Sequence, residues 1–154
     1  MQHLVPGQFS GQTFAISVDF RPLQFNGTIL YAAEVNDFFA LFLHNGKIMF
    51  SFDFGSGSAT LASTSTVMQN VWQRVSINRS GQRVQMIFRS DGAVVETARG
   101  TNTGLDVGNN LFVGGVPATT ELRKEVLNDA GSYSCFIVFF VSDTCSLYLV
   151  LLIR

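Results

Sequence analysis

A chain of 154 residues is long enough to bury one real core and too short for two. A formal net charge of −1 and a pI near 6.0 exclude an overall field that would draw nucleic acid or an anionic membrane, so any electrostatic site is local. Only 14% of the residues are charged against 47% hydrophobic, which calls for a large core or for a stretch not meant for water.

Fifteen phenylalanines against three prolines, with Gly and Asn clusters between apolar runs, favour short strands joined by turns. Phe14, Ile16, Val18 and Phe20 alternate with Thr13, Ala15, Ser17 and Asp19, predicting a strand with one apolar face that stops at Pro22. Asn26-Gly27 predicts a turn into the β-branched and aromatic run of residues 28–33, which sets three strands side by side. Residues 37–57 then read as a β-hairpin. Its first arm, from Phe38 to Leu43, is apolar throughout, and Asn45-Gly46 supplies the positive φ of a tight turn. The second arm alternates, with Ile48, Phe50 and Phe52 on one face and Lys47, Met49, Ser51 and Asp53 on the other. Asp37 stands at the hairpin's entrance. Beyond Gly55-Ser56-Gly57-Ser58, a short strand is expected at residues 60–62 and a loop at the Ser/Thr-rich residues 63–66.

Alternation continues through residues 71–78, 84–88, 94–98 and 111–113, with turns at Arg79-Ser80-Gly81-Gln82 and Ser90-Asp91-Gly92. No helical period, solenoid-length repeat or linker interrupts this series before Pro117. An all-β sandwich or jelly roll is therefore predicted for residues 1–117. Residues 118–154 differ in character. Leu122 and Val126 lie four apart in a charged stretch before Asn128-Asp129-Ala130-Gly131, which predicts one or two helical turns. Residues 135–153 are apolar over nearly the length of a membrane span but carry Asp143 among Ser142, Thr144 and Ser146. A central aspartate costs a spanning helix about 2.5–3.5 kcal/mol, so two buried strands around a turn at residues 142–144 are the more economical reading, with a membrane span as the alternative.

Catalytic chemistry has little to work with. His3 is terminal and His44 sits at a hairpin tip, neither with a nucleophile at recognisable spacing. Glu34, Glu96, Glu121 and Glu125 fall on loops, edges or the tail rather than as a facing pair, and phosphate-loop and zinc signatures are absent. A non-enzyme is expected. Cys135 and Cys145 are too few for a disulfide scaffold or a closed zinc site. Five of the ten basic residues, Arg74, Arg79, Arg83, Arg89 and Arg99, fall between Trp72 and Gly100. Of these, Arg74, Arg83 and Arg89 face away from the apolar rows, and their forks suit the sulfate and carboxylate groups of a heparan-type glycan, against the alternative of an ordinary solvated face. Asn26-Gly27-Thr28 and Asn78-Arg79-Ser80 match the N-glycosylation pattern and point towards a secreted protein. Residues 1–7 have neither the basic start nor the apolar run of a signal peptide, so an extracellular chain would be a piece of a longer one.

One set of segments carries a family resemblance: Asn26-Gly27-Thr28-Ile29-Leu30-Tyr31, the hairpin from Asp37 to Gly46, Phe52-Asp53-Phe54-Gly55-Ser56-Gly57, Trp72-Gln73-Arg74-Val75, Leu105-Asp106-Val107 and Leu111-Phe112-Val113-Gly114-Gly115-Val116-Pro117. In that order and spacing the chain resembles a laminin G-like domain over about residues 9–117, nearest in character to those of laminin α chains, perlecan and agrin. The resemblance implies a jelly-roll, concanavalin-like β-sandwich that recognises cell-surface or matrix glycans and glycoproteins outside the cell. In calcium-binding members, an aspartate before the strand that here begins at Phe38 and another in the Leu-Asp-Val segment hold the ion with two backbone carbonyls. By position these are Asp37, Asp106 and the carbonyls of Phe54 and Gly104, a donor set suited to a hard cation. Isolated loop aspartates otherwise cap turns or make local contacts, and that is the competing reading of Asp37 and Asp106. The chain also departs from the family. The usual opening strands before the Phe20-Arg21-Pro22 segment are largely missing, since only a few residues precede Phe14, Trp72-Gln73 replaces the usual Trp-His, and Cys145 follows Cys135 after only 145 − 135 = 10 positions. These departures imply a truncated start and put the family's closing disulfide in doubt. Alternatives are a membrane-tethered or structural module, in which membrane contact comes only through the tail, an incomplete fragment, or a lectin-like or steroid-binding pocket.

Overall fold

Period-two alternation decides the architecture. Strand β1 (Thr13–Pro22) buries Phe14, Ile16, Val18 and Phe20 on one face and leaves the residues between them half-buried, as a strand with one covered face must. The computed structural model describes residues 11–108, 111–116 and 120–126, together with the backbone of residues 135–141 and 149–151. Among these, every element is a strand: β2 (Gly27–Ala33), β3 (Asp37–His44), β4 (Lys47–Phe54), β5 (Ala59–Thr66), β6 (Gln73–Ser80), β7 (Arg83–Phe88), β8 (Ala93–Thr97), β9 (Phe112–Val113), β10 (Cys135–Val141) and β11 (Leu149–Leu151). They form two antiparallel sheets, ordered β11-β10-β1-β6-β7-β8 and β5-β4-β3-β2-β9. The fold is an all-β jelly-roll sandwich.

The core lies between the sheets. Phe39, Leu41 and Leu43 of β3 and Ile48, Phe50 and Phe52 of β4 are fully buried and face the apolar rows of β1, β6 and β7. The phenylalanines form a chain of ring contacts: Phe14 to Phe39 at 5.8 Å, Phe39 to Phe50 at 6.1 Å, Phe50 to Phe52 at 5.8 Å and Phe52 to Phe54 at 5.0 Å between centroids. A second cluster covers the opposite face of the five-stranded sheet, where Tyr31, Phe38, Ala40 and Phe42 pack with Val116, Leu122 and Val126. The first hairpin arm is thus apolar throughout because β3 is buried on both faces.

Three expectations need correction. Asn26-Gly27 is not a hairpin turn: β1 and β2 belong to different sheets, and the Asn26 Oδ1 accepts the Asn45 N–H at 2.9 Å, tying the crossover to the β3–β4 turn. Residues 63–66 are not a loop. They extend β5 along the sheet edge, where the Ser63 Oγ accepts the Ile48 N–H at 2.9 Å beside a register shift between Lys47 and Met49. Residues 121–126 form a single turn, Val126 N–H to Arg123 O at 2.9 Å, and no helix. So short a segment does not nucleate a helix alone, and Leu122 and Val126 gain more by lying flat on the second cluster. Strand β10 pairs with β1 from Ile16↔Val141 to Pro22↔Cys135, and β11 pairs with β10. Among the described residues no helix is long and apolar enough to cross a membrane. The expected turn at residues 142–144, the stop at residues 128–131 and any Cys135–Cys145 pairing lie outside the described residues.

Phe39, fully buried between the rings of Phe14 and Phe50, is expected to cost about 3–5 kcal/mol when truncated to Ala. Val95→Ala, on exposed β8, is expected to stay within about 0.5 kcal/mol. Denaturant unfolding of the two variants beside the parent chain reads both values.

Candidate metal site

The antiparallel register of β3 and β4 sets Asp37 opposite Phe54, so both lie at one end of the sandwich. Asp37 shares the inward parity of Phe39 and Leu41 and is half-buried at the core's margin. The segment after β8 crosses the same end and brings Asp106 to it. The Asp106 N–H donates to the Asp37 Oδ2 at 2.7 Å, and the Asp106 Oδ1 accepts the Gly108 N–H at 3.1 Å. One oxygen of each carboxylate, Asp37 Oδ1 and Asp106 Oδ2, therefore accepts no hydrogen bond among the described residues. An open cleft of about 460 Å³ adjoins both residues, lined by Glu34, Val35, Asn36, Asp37, Asp106 and Gly108, with neither Phe54 nor Gly104 among its lining.

Glycine keeps this rim open. Gly55 has φ +89°, and a Cβ there would stand 3.0 Å from the Asp37 Oδ1 and 2.8 Å from the Asn102 Nδ2. At Gly108 an added Cβ would collide with the Glu34 carboxylate. Three side chains hold the surrounding loops. The Asp53 Oδ1 accepts the N–H groups of Gly55, Ser56 and Gly57 at 2.8, 3.1 and 3.0 Å, fixing the turn after β4. The Arg123 Nη2 donates to the carbonyls of Glu34 and Val35, the latter at 2.7 Å, and so grips the loop ahead of Asp37. From inside, the Arg79 guanidinium donates to the carbonyls of Gly81 (2.9 Å), Gly11 (2.8 Å) and Thr103. It also sits 3.7 Å from the centroid of the Phe54 ring. Burial pulls the Arg79 pKa down to about 10, against the opposing pull of the Asp37 charge, so the cation persists at neutral pH.

Of the four predicted metal positions, Asp37 and Asp106 are in direct contact, Phe54 is the register partner of Asp37, and Gly104 lies two residues before Asp106 in the same loop. No three His, Cys, Asp or Glu side chains among the described residues converge as a metal group, and the four predicted positions offer two carboxylates and two backbone carbonyls. Such a set, with one unengaged oxygen on each carboxylate, fits a hard cation that completes its shell with water or ligand oxygens. Of the competing readings, Asp106 does make a local turn contact, to Gly108, whereas the Asp37 carboxylate reaches across to a distant loop instead of capping its own turn.

The arginine surface is dispersed. Arg74 and Arg83 lie on the outer side of the six-stranded sheet at opposite ends of the β6–β7 register, whereas Arg89 follows β7 with φ +53° and turns towards β5 at the edge of the other sheet. Six residues of strand separate Arg83 from Arg89, roughly 20 Å. Arg74 forks onto Asp19 with both nitrogens at 2.6 Å, and Arg89 donates to the Thr66 carbonyl at 3.3 Å. These forks therefore do not gather into one cluster. Asn26 is exposed in the crossover after β1, and Asn78 is exposed on the outward row of β6. Sequence reasoning passed over Asp53, Arg79 and Arg123. The Gly-Ser-Gly run two to four residues after Asp53 signals an acceptor for exposed amides, and Arg79 continues the inward parity of Val75 and Ile77. Nothing local marks Arg123.

This two-sheet antiparallel sandwich has the architecture of laminin G-like domains. The laminin G domain family model matches residues 20–133, and the chain belongs to that family. Neurexin 1 of Drosophila melanogaster is 34% identical over 136 residues, covering 84% of this chain and 7% of that protein. The basement membrane-specific heparan sulfate proteoglycan core protein of Mus musculus is 28% identical over 102 residues, covering 66% of this chain and 3% of that protein. Domains LG4-5 of the mouse laminin alpha1 chain superpose with a TM-score of 0.75 at 25% identity, covering 89% of this chain and 38% of that structure. The chain thus spans a small part of these relatives.

Gly55→Ala is expected to destabilise the domain by about 1–3 kcal/mol, because it combines an unfavourable φ with a clash against Asp37. Gly104→Ala, with open space around it and no positive φ, is expected to be near neutral. Thermal melting of both variants in chelator separates the two outcomes.

Proposed function

We propose that the chain is a non-catalytic extracellular recognition module that binds acidic cell-surface or matrix glycans with the help of calcium. Asp37 and Asp106 hold the ion through their carboxylates, and Phe54 and Gly104 contribute backbone carbonyls. A bound calcium supplies a positive centre with open positions, to which sulfate or carboxylate groups of a glycan add as oxygen ligands. The observation that carries this reading is the 2.7 Å contact of Asp106 N–H with Asp37 Oδ2, which joins two aspartates 69 positions apart while leaving an oxygen of each unengaged. Membership of the laminin G domain family supports a binding module over an enzyme, and the basement-membrane proteoglycan among its relatives supports an extracellular setting. Within this reading the module is one part of a larger matrix or cell-surface protein, and Asn26 and Asn78 carry N-linked glycans. Arg83 and Arg89 offer dispersed contacts to a long anionic chain, whereas the charge of Arg74 is largely spent on Asp19.

Isothermal titration of the chain is expected to show one calcium site with a dissociation constant on the order of 10⁻⁴–10⁻³ M. The Asp37→Asn, Asp106→Asn double variant is expected to lose it, and binding to an array of sulfated and uronic-acid glycans is expected to vanish in chelator. A parent chain that takes up no calcium, or a double variant that binds as well as the parent, overturns the assignment.

A further inference from the structure

Arg79 is the one charged side chain among the buried described residues, 3% exposed, and burying a charge is unfavourable unless each donor is met. Strand alternation drives it inward behind Val75 and Ile77, and the site it reaches has been built to receive it. Its three carbonyl partners, Gly11, Gly81 and Thr103, all lie outside the strands. Reciprocal bonds between Gly11 and Leu105, N–H to carbonyl at 3.4 and 3.1 Å, close the same junction. Thr103 immediately precedes Gly104 and lies three positions before Asp106. The guanidinium face covers the ring of Phe54, the last phenylalanine of the aromatic chain. The Asp37 charge acts on the same group. One buried cation thus packs on Phe54 and bonds the loop that carries Gly104 and Asp106, and it forms no hydrogen bond to either aspartate carboxylate.

We infer that Arg79 is the positioning residue of the cation site: it presets the loop that carries Gly104 and Asp106, and the end of β4 that carries Phe54, without itself contacting the ion. This inference rests on the calcium reading of Asp37 and Asp106. Two effects of opposite sign are at stake. A positive charge behind the rim repels a second cation, whereas a preset loop spares the ion the ordering of its own ligands. Positioning outweighs repulsion here, because the guanidinium is already compensated by three carbonyl dipoles, the Phe54 face and the Asp37 charge.

The test compares calcium titrations of the parent chain, Arg79→Lys and Arg79→Met, with melting in chelator as the check on folding. Removing an outer-shell partner is expected to weaken calcium affinity about 10–100-fold in Arg79→Met, with partial recovery in Arg79→Lys, which keeps the charge and part of the donor set. In the unmutated protein, the Arg79 Nε–H resonance is expected to shift and exchange more slowly with solvent as calcium is added. Folded variants that bind calcium as tightly as the parent, or more tightly, overturn the positioning role and leave the calcium site standing. A parent chain that binds no calcium overturns both. If Arg79→Met does not fold, the resonance decides, and an Arg79 signal indifferent to calcium counts against the inference.

Discussion

Burial of strand β3 on both faces is the constraint on which the rest depends. Phe39, Leu41 and Leu43 fill the space between the sheets while Phe38, Ala40 and Phe42 are covered from outside by Val116, Leu122 and Val126. A strand held from two sides cannot slip by one residue without moving a full set of aromatic side chains into the wrong layer. Its register against β4 is continuous from Asp37↔Phe54 to His44↔Lys47, so the position of Asp37 is inherited from the core. Each phenylalanine buried in this layer contributes about 1.5–3 kcal/mol, and the energy that fixes the rim is therefore hydrophobic although the rim itself is polar.

Loops at the rim lack that support and are fixed by polar devices. Asp53 gathers three consecutive amides after β4, Arg123 takes two carbonyls ahead of β3, and Arg79 takes three carbonyls from below. Anions meet amides and cations meet carbonyls, so each loop's dipoles are satisfied by the charge of matching sign. Asp37 and Asp106 are left comparatively unencumbered. Because Arg123 comes from the segment that also supplies Leu122 and Val126 to the outer cluster, covering β3 and bracing its entrance are one event.

Much of this was legible in the sequence, and what was not shares a physical cause. Alternation placed Phe14 to Phe20 and Ile48 to Phe52 correctly because a strand's two faces are a local property. Motif order pointed to the family, and with it to Asp37 and Asp106 as neighbours, which no local pattern would have joined across 69 positions. Local reading failed where the partner is remote. Asn26-Gly27 looks like a hairpin turn until Asn45 claims its oxygen, residues 63–66 look like a loop until Ile48 uses the Ser63 hydroxyl, and Leu122 with Val126 looks helical until the outer cluster flattens it. Counting arginines between Trp72 and Gly100 suggested a basic face, but parity sends Arg79 inside, register parts Arg83 from Arg89, and Asp19 engages Arg74.

The sign of the charge in the cleft bears on how an acidic ligand is approached. Among the described residues Glu34, Asp37 and Asp106 line the cleft and no basic side chain does, so its bare potential repels sulfate and carboxylate. The buried Arg79 does not reverse this, since its charge is directed at carbonyls and an aromatic face on the core side. In the proposed reading, a divalent ion therefore does more than add affinity: it inverts the local potential, turning a surface that excludes acidic glycans into one that ligates them. In that reading, recognition at the rim follows the calcium level of the surroundings, while the dispersed arginines supply only salt-sensitive, weakly specific attraction. The two candidate surfaces are separated in space, with Asp37 at one end of the sandwich and Arg74 and Arg83 on the outer side of the six-stranded sheet.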